Sequence, residues 1–190
     1  FLRSRRPPRS TLVPYTTLVR SDDASETIAI TPTAGAAGNI VVDNNTPGTA
    51  TLTLSGTPAK DEQWTAVITR TLPAATHTVA SDDDLADIAT GLAVGLDAVD
   101  GYSANAVDNV VTITSDDASE TIAITPTAGS AGNIVVENST PGTATLTLSG
   151  SLTVGEQWTA VITRTLPATT HQVRGPDQLS DIATGLAAGL

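Results

Sequence analysis

Polar and apolar residues alternate at period two through long stretches of the chain. Thr51-Leu52-Thr53-Leu54 and Gln63-Trp64-Thr65-Ala66-Val67-Ile68-Thr69 put every second side chain on one face, which predicts strands with one side buried. Tyr102 to Val107, Val110 to Thr114, Thr27 to Thr31 and Ile40 to Val42 add runs rich in Thr, Val and Ile, whose branched Cβ suits a pleated surface. Turn residues separate them: Asp108-Asn109, Thr46-Pro47-Gly48 and the Ser-Asp-Asp runs. One segment changes period. After Asp84, the residues Leu85, Ile88, Ala89, Leu92 and Leu96 form the apolar stripe of an amphipathic helix. Ser81 is the expected cap, and Asp82, Asp83 and Asp84 suit the positive end of the helix dipole. Further along, Pro176 is expected near the first helical position of a second such helix, and Gly101 in the turn that follows the first. The order reads β-β-β-α-β-β-β. The expected fold class is α+β, mostly antiparallel β, with a helix covering one face of a sheet.

The pattern occurs twice. Residues 21–96 align without a gap onto residues 115–190 at an offset of 94, and 60 of the 76 aligned positions are identical. The blocks SDDASETIAITPTAG, TPGTATLTLSG and EQWTAVITRTLPA are unchanged between copies. A period of 94 exceeds the 20–50 residues of solenoid repeats and suffices for a small domain with its own core. The expected organisation is one amphipathic helix per 94-residue tandem unit. Residues 49–142 would form a complete unit, 21–48 the C-terminal part of a truncated one, and 143–190 the N-terminal part of another.

Composition changes this picture at one end. Five of the nine basic residues (Arg3, Arg5, Arg6, Arg9 and Arg20) and none of the twenty acids lie in residues 1–20. Pro7, Pro8 and Pro14 interrupt any amphipathic helix there. The run from Arg5 to Ser21 resembles one reading frame of a common sequencing adapter, departing at Val13 and Val19, where the translated adapter has Phe. Residues 1–20 are therefore expected to be a non-native, disordered segment. The chain begins with Phe1 and contains no Met, and is expected to be a piece of something longer.

Charge and composition then exclude classes. With a net charge of −11 and no Cys, the chain suits neither a phosphate backbone nor a disulfide framework or Cys-based zinc site. It also has no apolar run long enough to span a bilayer.

Candidate chemistry is sparse. Asp82-Asp83-Asp84 with Asp87 invites calcium, but the other copy keeps only Asp177 and Asp181, and helix-start electrostatics account for the carboxylates. Asp22-Asp23 with Glu26 recurs as Asp116-Asp117 with Glu120; it reads as a solvated hairpin loop, with a weak surface calcium site as the alternative. His77 and His171 read as surface or turn histidines, without the activated hydroxyl and orienting acid of a triad. Gly35 and Gly38 do not complete a phosphate-cradling motif. Gly91 and Gly95 suggest close approach of helix to sheet. Trp64 and Trp158 read as core anchors beside Ala66 and Ile68, with a ligand-stacking tryptophan as the alternative. No catalytic, cofactor or metal residue is assigned.

EQWTAVIT, then DDDLADIATGLAVGLDA, then GYSANAVDNVVTIT is similar to a repeat of very large bacterial secreted or surface, adhesin-like proteins, and to related repeats of phage tail proteins. TLPAATH at Thr71–His77 departs from that pattern by replacing its hairpin turn, and Pro73 puts the second strand in doubt. The resemblance implies a non-enzymatic stalk module, extracellular or on the cell surface, whose partners are neighbouring units of the same chain. A virion tail or fibre domain and a calcium- or glycan-binding adhesin unit are the alternatives.

Overall fold

A computed structural model describes residues 14–20 and 25–189. In chain order it holds β1 (Tyr15–Arg20), β2 (Thr27–Thr33), β3 (Gly38–Asp43), β4 (Thr49–Gly56), β5 (Gln63–Thr71), β6 (Ala75–Thr78) and α1 (Leu85–Asp97). There follow β7 (Tyr102–Val107), β8 (Val110–Ser115), β9 (Ala123–Thr127), β10 (Gly132–Thr140), β11 (Thr143–Gly150), β12 (Gln157–Thr165), β13 (Thr169–Gln172) and α2 (Leu179–Ala187). Among the described residues the chain is β-rich, with antiparallel sheets accompanied by two helices, in keeping with the α+β class.

The chain divides into two compact units, and neither coincides with the expected 49–142. One is nearly continuous, Thr69–Thr165 joined by residues 25–27. Its strands form a sheet in the order β10-β11-β8-β7 and a second group in which β12 pairs with β6 and β9. Alternation works as the sequence requires: along β11, Ala144, Leu146 and Leu148 are buried while the threonines between them are half-exposed. Ile88, Leu92 and Leu96 of α1 meet Trp158, Ala160 and Ile162 of β12 in the core. Burying each such Leu or Ile contributes about 1.5–3 kcal/mol.

The other unit is assembled from separated segments: β1, Ile28–Ile68 and Leu166–Leu190. Its sheet runs β1-β4-β3, while β5 is flanked by β2 and β13. Trp64, Ala66 and Ile68 are fully buried against Ile182, Ala183 and Leu186 of α2. This core thus draws its tryptophan from the first sequence copy and its helix from the second.

Several expectations are corrected here. β5 does not fold back on β6: β6 pairs with β12 and β13 pairs with β5, so TLPAATH forms no hairpin. Pro73 falls between the strands, where its missing N–H costs no ladder bond, and β6 begins two residues later. The segment expected to be disordered is a strand at Tyr15–Arg20, with Val19 buried opposite Ala50. Its Thr-Thr-Leu-Val run alternates well enough to occupy the place on β4 that β8 occupies on β11: Val19 faces Ala50 as Ile113 faces Ala144. Residues 1–13 lie outside the described residues. The cap of α1 is Asp84 rather than Ser81, because Asp84 accepts from Ala86 N at 2.8 Å and Asp87 N at 3.1 Å. Pro176 lies two residues before the cap of α2, Gln178, not at its first turn.

The turns follow the expected chemistry. Asp108 takes a positive φ of 52° in the two-residue link between β7 and β8, and Gly101, after α1, has φ 82°.

Candidate functional site

The densest polar constellation lies where β5 ends against β12. Arg70 stands opposite Arg164 in the antiparallel register, with Thr69 facing Thr165 and Thr71 facing Thr163. Like charges placed directly across two strands repel. Acids from both sequence copies offset that repulsion: Glu26 lies 3.8 Å from Arg70, and Glu120 lies 3.3 Å from Arg164 Nε.

Glu120 is held from three sides. The Tyr102 hydroxyl donates to its Oε1 at 2.7 Å and Ser115 Oγ to its Oε2 at 2.6 Å, while its side chain is only 7% exposed. Tyr102 and Ser115 face each other across β7 and β8, so the hairpin delivers both donors together. Burial, with the Glu120 carboxylate beside it, pushes the Tyr102 phenol well above its ordinary value. Asp117 is 3.9 Å from Arg164 and accepts from Ser119 Oγ at 2.6 Å and Ser119 N at 2.9 Å, which hold its carboxyl below the usual range.

The solvated-loop expectation therefore fits Asp117 and fails for Glu26 and Glu120, which are drawn inward by the arginines; Asp22 and Asp23 lie outside the described residues. Chemically the cluster is a charge-neutralising tie. The Tyr102 and Ser115 hydroxyls both donate to the Glu120 carboxylate, which also faces Arg164.

The histidines form a second, duplicated constellation. His77 Nε2 meets Asp83 Oδ2 at 2.8 Å, and His171 meets Asp177 at 3.0 Å. Both histidines lie on strands and are partly buried, unlike the surface or turn residues expected. Each aspartate also accepts a backbone N–H at 2.7 Å, from Ala80 and from Arg174 respectively. For Asp83 the histidine bond is the main cause of a lowered pKa; for Asp177 the Arg174 N–H comes first and the histidine second. Gly91 and Gly185 let the helices approach these rings: a Cβ at either would collide with the imidazole Nδ1. Gly95 also lies close to Ala75, where a Cβ would come within 2.7 Å of the Ala75 Cβ, in keeping with close approach of helix to sheet.

Asp84 and Asp87 of the run are committed to the helix start. Asp87 accepts from Asp84 N at 2.9 Å, closing a capping box with Asp84. Among the described residues no group of three or more His, Asp or Glu is arranged to hold a metal ion. Both tryptophans are fully buried, which overturns the ligand-stacking alternative for Trp64. Each indole lies on a glycine pair, Gly35 and Gly38 or Gly129 and Gly132, where a Cβ at Gly38 or Gly132 would strike the ring.

Sequence reasoning missed the glutamates beside the tryptophans. Glu62 accepts from Ala36 N and Ala59 N, both at 3.0 Å, and Glu156 from Ser130 N at 3.2 Å and Ser130 Oγ at 2.5 Å. The available signal was the invariant Glu-Gln-Trp, with the glycine pair recurring upstream at the same spacing in both copies.

No helix among the described residues is long and apolar enough to cross a membrane. Comparison with protein-family models, with curated proteins and with solved structures finds no match for this chain.

Proposed function

We propose that the chain is a non-enzymatic structural module, a run of beads from a tandem array in a large bacterial secreted or cell-surface protein, in which each 94-residue period supplies one bead with one helix. The carrying observation is that equivalent residues make equivalent pairs. Trp158 faces His77 and Trp64 faces His171, each with a helix seated on a glycine beside the histidine. A bead such as residues 69–165 thus carries the histidine strand and helix of one sequence copy closed by the tryptophan strand of the next. Glu120, Asp83, Asp177 and Glu62 each accept bonds from side-chain or backbone donors, which favours a scaffold over a catalyst. Net charge of −11 keeps such beads apart by self-repulsion. The neighbouring units of the same chain are the partners in this reading, and a virion tail or fibre is the alternative setting.

A 94-residue bead has a radius of gyration of about 12 Å and adds about 3 nm to a stalk. Chains carrying two, four and six periods should lengthen by a constant increment in small-angle scattering and gain unfolding enthalpy in proportion. A length that stops growing, with the periods collapsing on one another, would overturn the stalk reading. A calcium-dependent rise in melting temperature would instead favour the adhesin alternative.

A further inference from the structure

The slot on β5 and the slot on β12 are the same slot. On β5, Gln63, Trp64, Thr65 and Ala66 face Gln172, His171, Thr170 and Thr169. On β12, Gln157, Trp158, Thr159 and Ala160 face Thr78, His77, Thr76 and Ala75. The backbone bonds beyond the strands also match. Val173 N donates to Glu62 O at 2.8 Å and Asp61 N to Val173 O at 2.9 Å; Val79 N donates to Glu156 O at 2.9 Å and Gly155 N to Val79 O at 2.8 Å.

What fills these slots is also the same. The buried residues of the C-terminal arm, Val173, Leu179, Ile182, Ala183 and Leu186, are identical in type to Val79, Leu85, Ile88, Ala89 and Leu92 of the first copy. The arms differ mainly at residues outside that buried set, such as Ala80 against Arg174 and Asp82 against Pro176. Apart from Ala75, which is buried in the first arm where the second has Thr169, nothing in the buried contact marks an arm as belonging to a particular slot. Each arm leaves its strand through a Leu-Pro-Ala link, at Leu72-Pro73-Ala74 and Leu166-Pro167-Ala168, that does not turn back on the strand before it. Short, proline-containing links that hold an element away from its preceding strand are the usual hinges of segment exchange.

We propose that β13 and α2 form an exchangeable arm, and that the β5 slot accepts the arm of a second copy of this chain in place of its own. When the chain's own arm enters, Leu166–Leu190 closes onto Ile28–Ile68 and the product is a monomer. When another chain's arm enters, two chains close reciprocally into a dimer, or in succession into a head-to-tail series. Every contact is the same in both outcomes, so concentration during folding selects between them. The partner is a second copy because its arm carries the His, the small helix residue and the apolar stripe in the required order.

The test uses the full chain, unfolded in denaturant and refolded at about 0.01 mM and at about 1 mM, concentrations below and near the effective concentration of a tethered arm. Light scattering after size exclusion should show monomer from the dilute sample and added dimer, with larger species, from the concentrated one. Isolated dimer should persist on dilution and return to monomer only after partial unfolding. Chains with two different tags should form mixed dimers when refolded together and none when mixed after folding. Monomer at both concentrations overturns the proposal. So does a dimer that dissociates on simple dilution, or that mixes without unfolding, since either would be surface association.

Discussion

Trp158 stands opposite His77 on an antiparallel strand pair, although His171 lies far nearer to it along the chain. Each tryptophan strand is completed by the histidine strand of the other sequence copy. Bringing Trp64 onto His77 within residues 49–142 would require β5 to turn back after Ala66 and give up its pairing at Thr69–Thr71. Residues 69–165 keep the Trp158 pairing and its whole core. A chain of residues 69–165 should therefore unfold cooperatively, at a higher urea midpoint than a chain of residues 49–142. Equal midpoints, or a molten 69–165, would show that the unit is drawn wrongly.

The individual elements were readable because alternation and the helical stripe are local. β7 spans the expected Tyr102–Val107, and the Asp108-Asn109 turn sets its register with β8. Pairing was not readable. Two near-identical arms present nearly the same buried face, differing at Ala75 and Thr169, and no pattern in β5 announces which it takes. The true cap was hidden for a related reason: Ser81 and Asp84 both suit an N-cap, and the choice falls where Leu85 can begin the buried stripe. The inward turn of Glu26 and Glu120 depends on arginines distant in sequence, which no local acidic pattern reveals.

Gly95 offers a test of close packing. A Cβ there would lie 2.7 Å from Ala75 Cβ and 3.0 Å from its Cα, so the strand backbone itself must move. Ala favours a helix over Gly by about 1 kcal/mol, while overpacking of this kind costs about 1–3 kcal/mol. Gly95→Ala should be net destabilising, seen as a lowered urea midpoint. A stabilised variant would mean that the helix and β6 are not in contact at this point.

Tryptophan deletion should report on the units separately. Trp64 and Trp158 are fully buried in different cores, and truncation of a buried tryptophan to Ala costs about 3–5 kcal/mol. Trp64→Ala should lower the melting of the unit containing β5 and α2 while leaving a separate transition from Thr69–Thr165; Trp158→Ala should do the reverse. Calorimetry reads both transitions, and equal effects on the two would contradict separate cores.

Glu120 links three donors, and its loss should be felt at each of them. Glu120→Gln keeps the shape but leaves Arg164 facing Arg70 with one carboxylate fewer. Because Arg164 is a third exposed, the cost is discounted from that of a fully buried pair to about 1–3 kcal/mol. The Tyr102 phenol should at the same time titrate at a lower pH than in the parent chain, since a neighbouring negative charge and its hydrogen bond no longer oppose ionisation. Absorbance titration of phenolate, with Tyr15 common to both proteins, resolves the change. An unchanged tyrosine curve would remove Glu120 from its assigned contact.

Acid should weaken the histidine-bearing turns, and the sign follows from the aspartates. Asp83 and Asp177 have folded-state pKa values below the ordinary 3.8, because imidazole and backbone N–H groups donate to the carboxylates. A depressed carboxyl contributes stability that is complete above the unfolded-chain value and is lost as pH falls through the lower folded value. Urea midpoints should hold from neutrality down to about pH 4 as far as these groups are concerned, then fall with further acidification. Asp83→Asn and Asp177→Asn together should flatten that acid limb while lowering the midpoint at neutral pH, since each amide loses the charge-assisted bond to its histidine. Should the double variant retain the full acid dependence, the turns at Ala80 and Arg174 are not where acid acts, and the remaining depressed carboxyl, Asp117, becomes the group to replace next.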